Sequence, residues 1–276
     1  MSLLEISDLS VRYLNSSQWA LEEVNISVEK EELIIIAGAS GCGKSTLAQA
    51  ILGLIPAFVE AEVLGKIKIK GKLLDKLSRR EIIQVLGYVP QYPADFTINM
   101  LVEEEIAFSL ENLAYPRREI QSCIKKVLDQ LEISHLRYRL MTELSSGELQ
   151  RVALATAIAP KPPILIFDEP MARIDPKSEV TLARLLRNLS QNRQLIISFE
   201  HRLDYLLPVA DRVILLENGR VIADGEPRSL IDKLQNIDLP EVSGIAFPGV
   251  TQRIIDLDEA KTFLLKNFQD TLRTTS

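Results

Sequence analysis

Residues 38–46 read Gly-Ala-Ser-Gly-Cys-Gly-Lys-Ser-Thr and follow Leu33-Ile34-Ile35-Ile36-Ala37, an apolar, β-branched run with the length of a buried strand. Glycines at 38, 41 and 43 permit a turn tight enough for successive backbone N–H groups to converge on one anion. The helix that starts after them points its positive dipole end at the same place. The spacing G-x-x-x-x-G-K-S arises by chance in about one chain in a hundred, and Leu47, Ala50, Ile51 and Leu54 at helical spacing behind it make chance rarer still. We read a phosphate-binding loop between a strand and a helix, which commits the chain to an α/β fold. Gly38, Ser40, Gly41, Cys42, Gly43 and Thr46 line the anion, Lys44 reaches the β- and γ-phosphates, and the Ser45 hydroxyl is a hard oxygen suited to Mg²⁺.

Composition narrows what surrounds this loop. A chain of 276 residues with 46% hydrophobic content has ample core for one large domain, or one domain with a small appendage. The net charge of −6 argues against the basic face that a nucleic acid requires, so no nucleic-acid partner is expected. No apolar run approaches the roughly 20 residues that span a bilayer, and the N-terminus lacks the basic-then-apolar order of a signal peptide. Any membrane role is therefore expected to come through partners. Cys42 and Cys123 are too few for a disulfide framework or a metal cluster, which fits a reducing cytoplasm. Cys42 is either oxidation-sensitive or simply a tolerated small side chain.

Before the loop, alternation at 4–7 and 21–28 predicts short strands of a small antiparallel sheet, ending near Tyr13. Tyr13 can stack on an adenine ring or sit half-buried in the core. After the first helix, alternation over 64–69 and an apolar run over 85–90 predict two further strands, the second delivering Gln91 at its carboxyl end. The Gln91 amide can meet Mg²⁺ or an attacking water, or serve as a turn residue. From about 97 to 159 the pattern turns helical, with Ile120, Ile124, Val127, Leu128 and Leu131 on one face, and predicts an inserted helical subdomain. Glutamates 103–105 read as a solvated first helical turn, and His135 as a lone histidine without a metal partner.

That segment closes with Leu144-Ser145-Ser146-Gly147-Glu148-Leu149-Gln150-Arg151, a second helix start that either binds an anion or is an ordinary serine cap. Ile164-Leu165-Ile166-Phe167 leads into Asp168 and Glu169, two carboxylates at a strand end, placed for a cation and for a water to be deprotonated, or left there as solvated caps. Strands are predicted over 195–199, 212–216 and 220–223, with His201 just beyond the first. Gln91, Asp168, Glu169 and His201 thus all fall at strand carboxyl ends, the edge where parallel α/β sheets bind ligands. The tail reads as a helix over 229–234, a proline-bearing loop and an amphipathic helix near 258–268.

In this order the phosphate loop, Gln91, residues 144–150, residues 164–169, Asp175 and His201 resemble the ATP-binding subunit of an ABC-type transporter over residues 3–225. The resemblance implies a P-loop NTPase with a RecA-like mixed sheet and an antiparallel β subdomain, in an ABC ATPase domain at 1–225 with a helical subdomain inserted at about 97–159. Residues 226–276 form a small C-terminal extension. It further implies ATP and Mg²⁺ as cofactors, with Ser45, Gln91 and Asp168 at the metal, Tyr13 on adenine, Glu169 as general base and His201 as the γ-phosphate sensor. Ser145, Ser146, Gly147 and Glu148 would act in trans on the ATP of a second ATPase subunit. Residues 105–113, 53–56 and 200–204 are similar to the energy-coupling-factor type of vitamin and metal importer. Its ATPase sits on the cytoplasmic face of the membrane with an integral coupling protein and a substrate-binding membrane protein. Ser146 and Glu148 depart from the usual glycine and glutamine, and Arg173 from a small residue, which favours a non-identical partner ATPase. The alternatives are a soluble ABC-type ATPase of repair or translation, a non-hydrolysing regulatory subunit, and a small-molecule kinase sharing the phosphate loop alone.

Overall fold

The computed structural model describes residues 2–171, 176–201, 203 and 205–230 of the chain. The expectations for Ala172, Arg173, Ile174, Asp175, Arg202, Asp204, the tail helix over 229–234 beyond residue 230 and the one near 258–268 lie outside the described residues.

Two sheets organise the chain. Strands β1 (Leu4–Tyr13), β2 (Leu21–Val28), β4 (Ala61–Ile69) and β5 (Lys72–Leu73) make an antiparallel sheet in the order β2-β1-β4-β5. The main sheet combines β3 (Leu33–Ala37), β6 (Leu86–Val89), β7 (Ile164–Asp168), β8 (Leu195–Glu200), β9 (Arg212–Glu217) and β10 (Arg220–Gly225) in the order β10-β9-β3-β8-β7-β6. Its strands run parallel except β10, which folds back on β9 across the Asn218-Gly219 turn. Helices α1 (Lys44–Ile51), α2 (Arg79–Val85), α3 (Val102–Asn112), α4 (Arg117–Gln130), α5 (Ser146–Ile158) and α6 (Pro176–Gln191) complete the fold. This is the P-loop NTPase architecture, a mixed sheet accompanied by an antiparallel one.

Alternation along the central strands divides the core in two. Ile34, Ile36, Ile166 and Ile197 face α1 and the antiparallel sheet, while Leu33, Ile35, Leu165 and Phe167 face α3, α5 and α6. Both faces are covered, which is why these strands read as unbroken apolar runs. Each fully buried isoleucine contributes about 1.5–3 kcal/mol by removal from water. The tight core holds the strand ends in place, and those ends carry the candidate site residues.

Two sequence expectations are corrected. Helix α2 went unread, although Ser78 and Glu81 form a reciprocal capping box at its start, a signature visible in the sequence. The glutamates 103–105 are not all solvated. Glu105 is buried and accepts hydrogen bonds from the Ile98 and Asn99 backbone N–H groups and from Asn99 Nδ2, at 3.1, 2.9 and 3.1 Å. The loop after Gln91 supplies these donors, so it is fastened to the first turn of α3. Glu103 pairs with Arg137 at 2.9 Å.

Candidate nucleotide site

Strand β3 lies near the middle of the main sheet, with β9 on one side and β8 on the other, so the phosphate loop emerges between neighbours that are themselves rigid. Gly41 and Gly43 take left-handed backbone conformations with φ of 76° and 110°. At Gly43 a Cβ would also stand 2.6 Å from the Ala20 carbonyl, so a side chain there is excluded twice over. Helix α1 begins at Lys44 with no side-chain cap and no acid in its first turn, leaving its first N–H groups and its dipole free for an anion.

The Lys44 ammonium is held over the loop, donating to the Gly38 and Ala39 carbonyls at 2.6 and 3.0 Å. Burial lowers its pKa below the usual ammonium range. His201, just past β8, places Nδ1 3.4 Å from Lys44 Nζ and Nε2 2.6 Å from Glu169 Oε1. Burial and the Lys44 charge hold this imidazole below its ordinary value. We therefore assign Nε2–H as donor to Glu169 and Nδ1 as acceptor toward Lys44. Gln91 Nε2 donates to the other Glu169 oxygen. The order β3-β8-β7-β6 thus puts Lys44, His201, Glu169 and Gln91 in one hydrogen-bonded row, each from a different strand end.

Glu169 sits one residue beyond β7 with φ of 47°, a left-handed conformation uncommon for glutamate, and its N–H donates to the Phe199 carbonyl at 2.9 Å. That bond turns the chain so that Asp168 and Glu169 point differently. Asp168 meets the Tyr88 hydroxyl at 3.4 Å. Burial, with the Glu169 charge beside it, pushes the Asp168 pKa upward. Two adjacent acids in a half-buried site are poorly tolerated alone and suit a cation, and Mg²⁺ asks for hard oxygens and few carboxylates. The Asp168 carboxylate, the Gln91 amide and the exposed Ser45 hydroxyl fit that demand.

Tyr13, at the end of β1, bonds through its hydroxyl to Thr46 Oγ1 at 3.0 Å, which ties the antiparallel sheet to the start of α1. Ser40 and Gly41 are exposed at the loop tip. Cys42 is buried, with burial raising its thiol pKa. That favours the neutral thiol, so the tolerated-side-chain reading is the better supported of the two.

The second helix start lies apart from this row. Ser145 caps α5, and Glu148 closes a capping box: its Oε2 accepts from the Ser145 N–H at 2.8 Å and from Ser145 Oγ at 2.7 Å. The Ser145 bonds hold the Glu148 pKa below the usual carboxylate range. Gly147 has open space where a Cβ would be.

Sequence reading missed two residues at the site. Tyr88 carries no motif, and only strand register places it beside Asp168. Glu200, at the end of β8, is 1% exposed and its pKa is raised well above normal by burial, with Glu169 adding repulsion. It accepts a hydrogen bond from the Ser198 hydroxyl at 3.4 Å. An acid next to the candidate histidine His201 was the available signal.

Residues 21–172 match the ABC transporter family. A putative ABC transporter ATP-binding protein from Pyrococcus abyssi is 35% identical over 249 residues, 90% of this chain and 88% of its own length. One from Saccharolobus solfataricus is 34% identical over 90% of this chain, which spans 46% of that relative. Among solved structures, cbiO1 from Clostridium perfringens, part of the ABC transporter complex cbiONQ, aligns with a TM-score of 0.73 at 28% identity, covering 88% of this chain and 98% of that one. A nucleotide-free ATP-binding cassette from an ABC transporter aligns with a TM-score of 0.73 at 25% identity, covering 88% and 99%. Phosphate loop, sheet order and relatives agree: the chain belongs to the ABC transporter family as an ATP-binding subunit, an ATPase whose hydrolysis is coupled to transport.

Proposed function

We propose that this chain powers an energy-coupling-factor importer for a vitamin, a vitamin precursor or a metal ion, from the cytoplasmic face of the membrane. The observation that carries the hydrolytic half of this reading is the row Lys44, His201, Glu169 and Gln91. Lys44 would neutralise the β- and γ-phosphates and Tyr13 would meet the adenine. Glu169, gripped by His201 and Gln91, would take the proton of the attacking water while His201 senses the γ-phosphate. Ser45, Gln91 and Asp168 would hold Mg²⁺, which supplies positive charge to the phosphate oxygens. The two helix starts, α1 and α5, would meet across a subunit boundary, with Ser145–Glu148 of one subunit facing the other's ATP.

The transport half draws on the likeness to cbiO1 and on the surface beside Gln91. Phe96, Ile98 and Met100 are 56, 67 and 73% exposed, and Tyr92 and Phe108 are exposed nearby. Side chains of this size in water suit helices of a membrane coupling protein. Among the described residues no helix is long and apolar enough to cross a membrane itself. Because Glu105 ties this loop to α3, movement of Gln91 on hydrolysis would reach that surface directly. The Glu148 carboxylate at the α5 start opposes a second ATP, and this favours a non-identical ATPase partner over a symmetric pair.

Purification of the tagged chain from detergent-solubilised native membranes, with partners identified and ATP turnover assayed, tests the reading. Recovery of a multi-span coupling protein and a small substrate-binding membrane protein supports it. Recovery of soluble or ribosomal partners alone would replace it with a soluble ABC ATPase.

A further inference from the structure

At the edge of the main sheet opposite the phosphate loop lies a cavity of about 680 Å³. Four cations line it: Lys70 from the turn between β4 and β5, Lys126 from α4, Lys161 just after α5 and Arg193 just after α6. Among the described residues no aspartate or glutamate lines it, in a chain whose net charge is −6. Among the described residues none of the four is paired with a carboxylate. The floor is apolar and buried, formed by Val127, Ile158 and Leu189.

The carboxyl ends of α5 and α6 account for part of this charge, because a cation there complements the helix dipole by about 0.3–1 kcal/mol. That covers Lys161 and Arg193. It leaves Lys126, in the middle of α4, and Lys70, on a different sheet. Lys161 and Arg193 moreover hold left-handed conformations, with φ of 55° and 67°, at positions after a helix where glycine is favoured and a helix stop alone needs no charge. Four elements thus converge long cations on one concave surface without a counter-charge among the described residues.

We propose that this groove binds an oligophosphate anion, separated from the phosphate loop by the length of a five-residue strand, about 17 Å. Three or more clustered negative charges match four converging cations, and free oligophosphate and the phosphate tail of a nucleotide share that chemistry. The apolar floor distinguishes the two, since it gives a nucleoside a surface to rest on.

Calorimetric titration of sodium tripolyphosphate into the full chain tests the site independently of the transport reading. In the Lys44→Ala protein, whose phosphate loop is weakened, a binding event that depends on the groove should remain. Its dissociation constant should rise about tenfold from about 50 to about 300 mM salt, as expected for exposed charges. The event should vanish in Lys44→Ala combined with Lys126→Glu, Lys161→Glu and Arg193→Glu, which alter exposed positions and leave the core intact. ATP binding more tightly than tripolyphosphate to Lys44→Ala, with the difference removed by the three charge reversals, assigns the groove to nucleotides, and equal affinity assigns it to the phosphates alone. Absence of binding to Lys44→Ala, or undiminished binding after the charge reversals in a protein with unchanged circular dichroism and melting, overturns the proposal.

Discussion

Helices α1 and α5 begin alike in sequence, with small residues ahead of an apolar stripe, yet their first turns are opposite in charge and in hydrogen bonding. The start of α1 has a glycine for a cap, no acid in its first turn and a lysine as its first residue. The start of α5 is closed by its own Ser145 and Glu148, which satisfy backbone N–H groups internally and set a carboxylate at the positive dipole end. One end is built to take an anion from outside; the other already holds one. Anion binding at a helix start therefore depends on which groups the first turn has spent on itself, and spacing alone does not reveal that.

The largest test of this contrast lies on the side of α1. Glu169→Gln should keep ATP bound by the open helix end while slowing hydrolysis by about 10²- to 10⁴-fold, about 3–5 kcal/mol of transition-state stabilisation. Single-turnover assays with radiolabelled ATP measure both quantities. Lys44→Ala removes the charge at the same end and should weaken nucleotide affinity by about 10- to 150-fold, the worth of charged hydrogen bonds of 1.5–3 kcal/mol, as read by fluorescent-nucleotide titration. At α5 the effect should be on the fold. Ser145→Ala breaks the capping box and should lower stability by about 1 kcal/mol in chemical denaturation.

The smallest effect is a pH dependence. Glu148 titrates below the ordinary carboxylate range in the folded chain, so the unfolded chain binds its proton first as pH falls. Its contribution to stability is present above the ordinary range and is lost as pH drops through the lowered folded value. Melting curves of wild type and Glu148→Gln should therefore differ at neutral pH and converge in acid.

Much of the site was legible because covalent spacing dictates it. A glycine loop between strand and helix, and acids or amides directly after apolar runs, are local patterns, and parallel pairing then carries Gln91, Glu169 and His201 to one edge. What the sequence withheld depends on register and on partners far along the chain. Tyr88 reaches Asp168 because β6 pairs with β7, and Glu105 is buried because Ile98 and Asn99 return to it. Short α2 lacks a buried face, so periodicity missed it, and only its Ser78 and Glu81 cap announced it. The carboxylate of Glu148 was visible as a departure, but its grip on Ser145 is a matter of geometry.

ATP turnover of Glu148→Gln against wild type, at saturating ATP and Mg²⁺, measures the contrast between the two helix ends most directly. Glutamine keeps the capping geometry and removes the charge. If α5 presents its first turn to a second subunit's ATP, relief of a repulsion of about 1–2 kcal/mol should raise turnover about 5- to 30-fold. Turnover that is unchanged or lower would contradict the account, and an unchanged rate would make Glu148 a cap with no bearing on nucleotide.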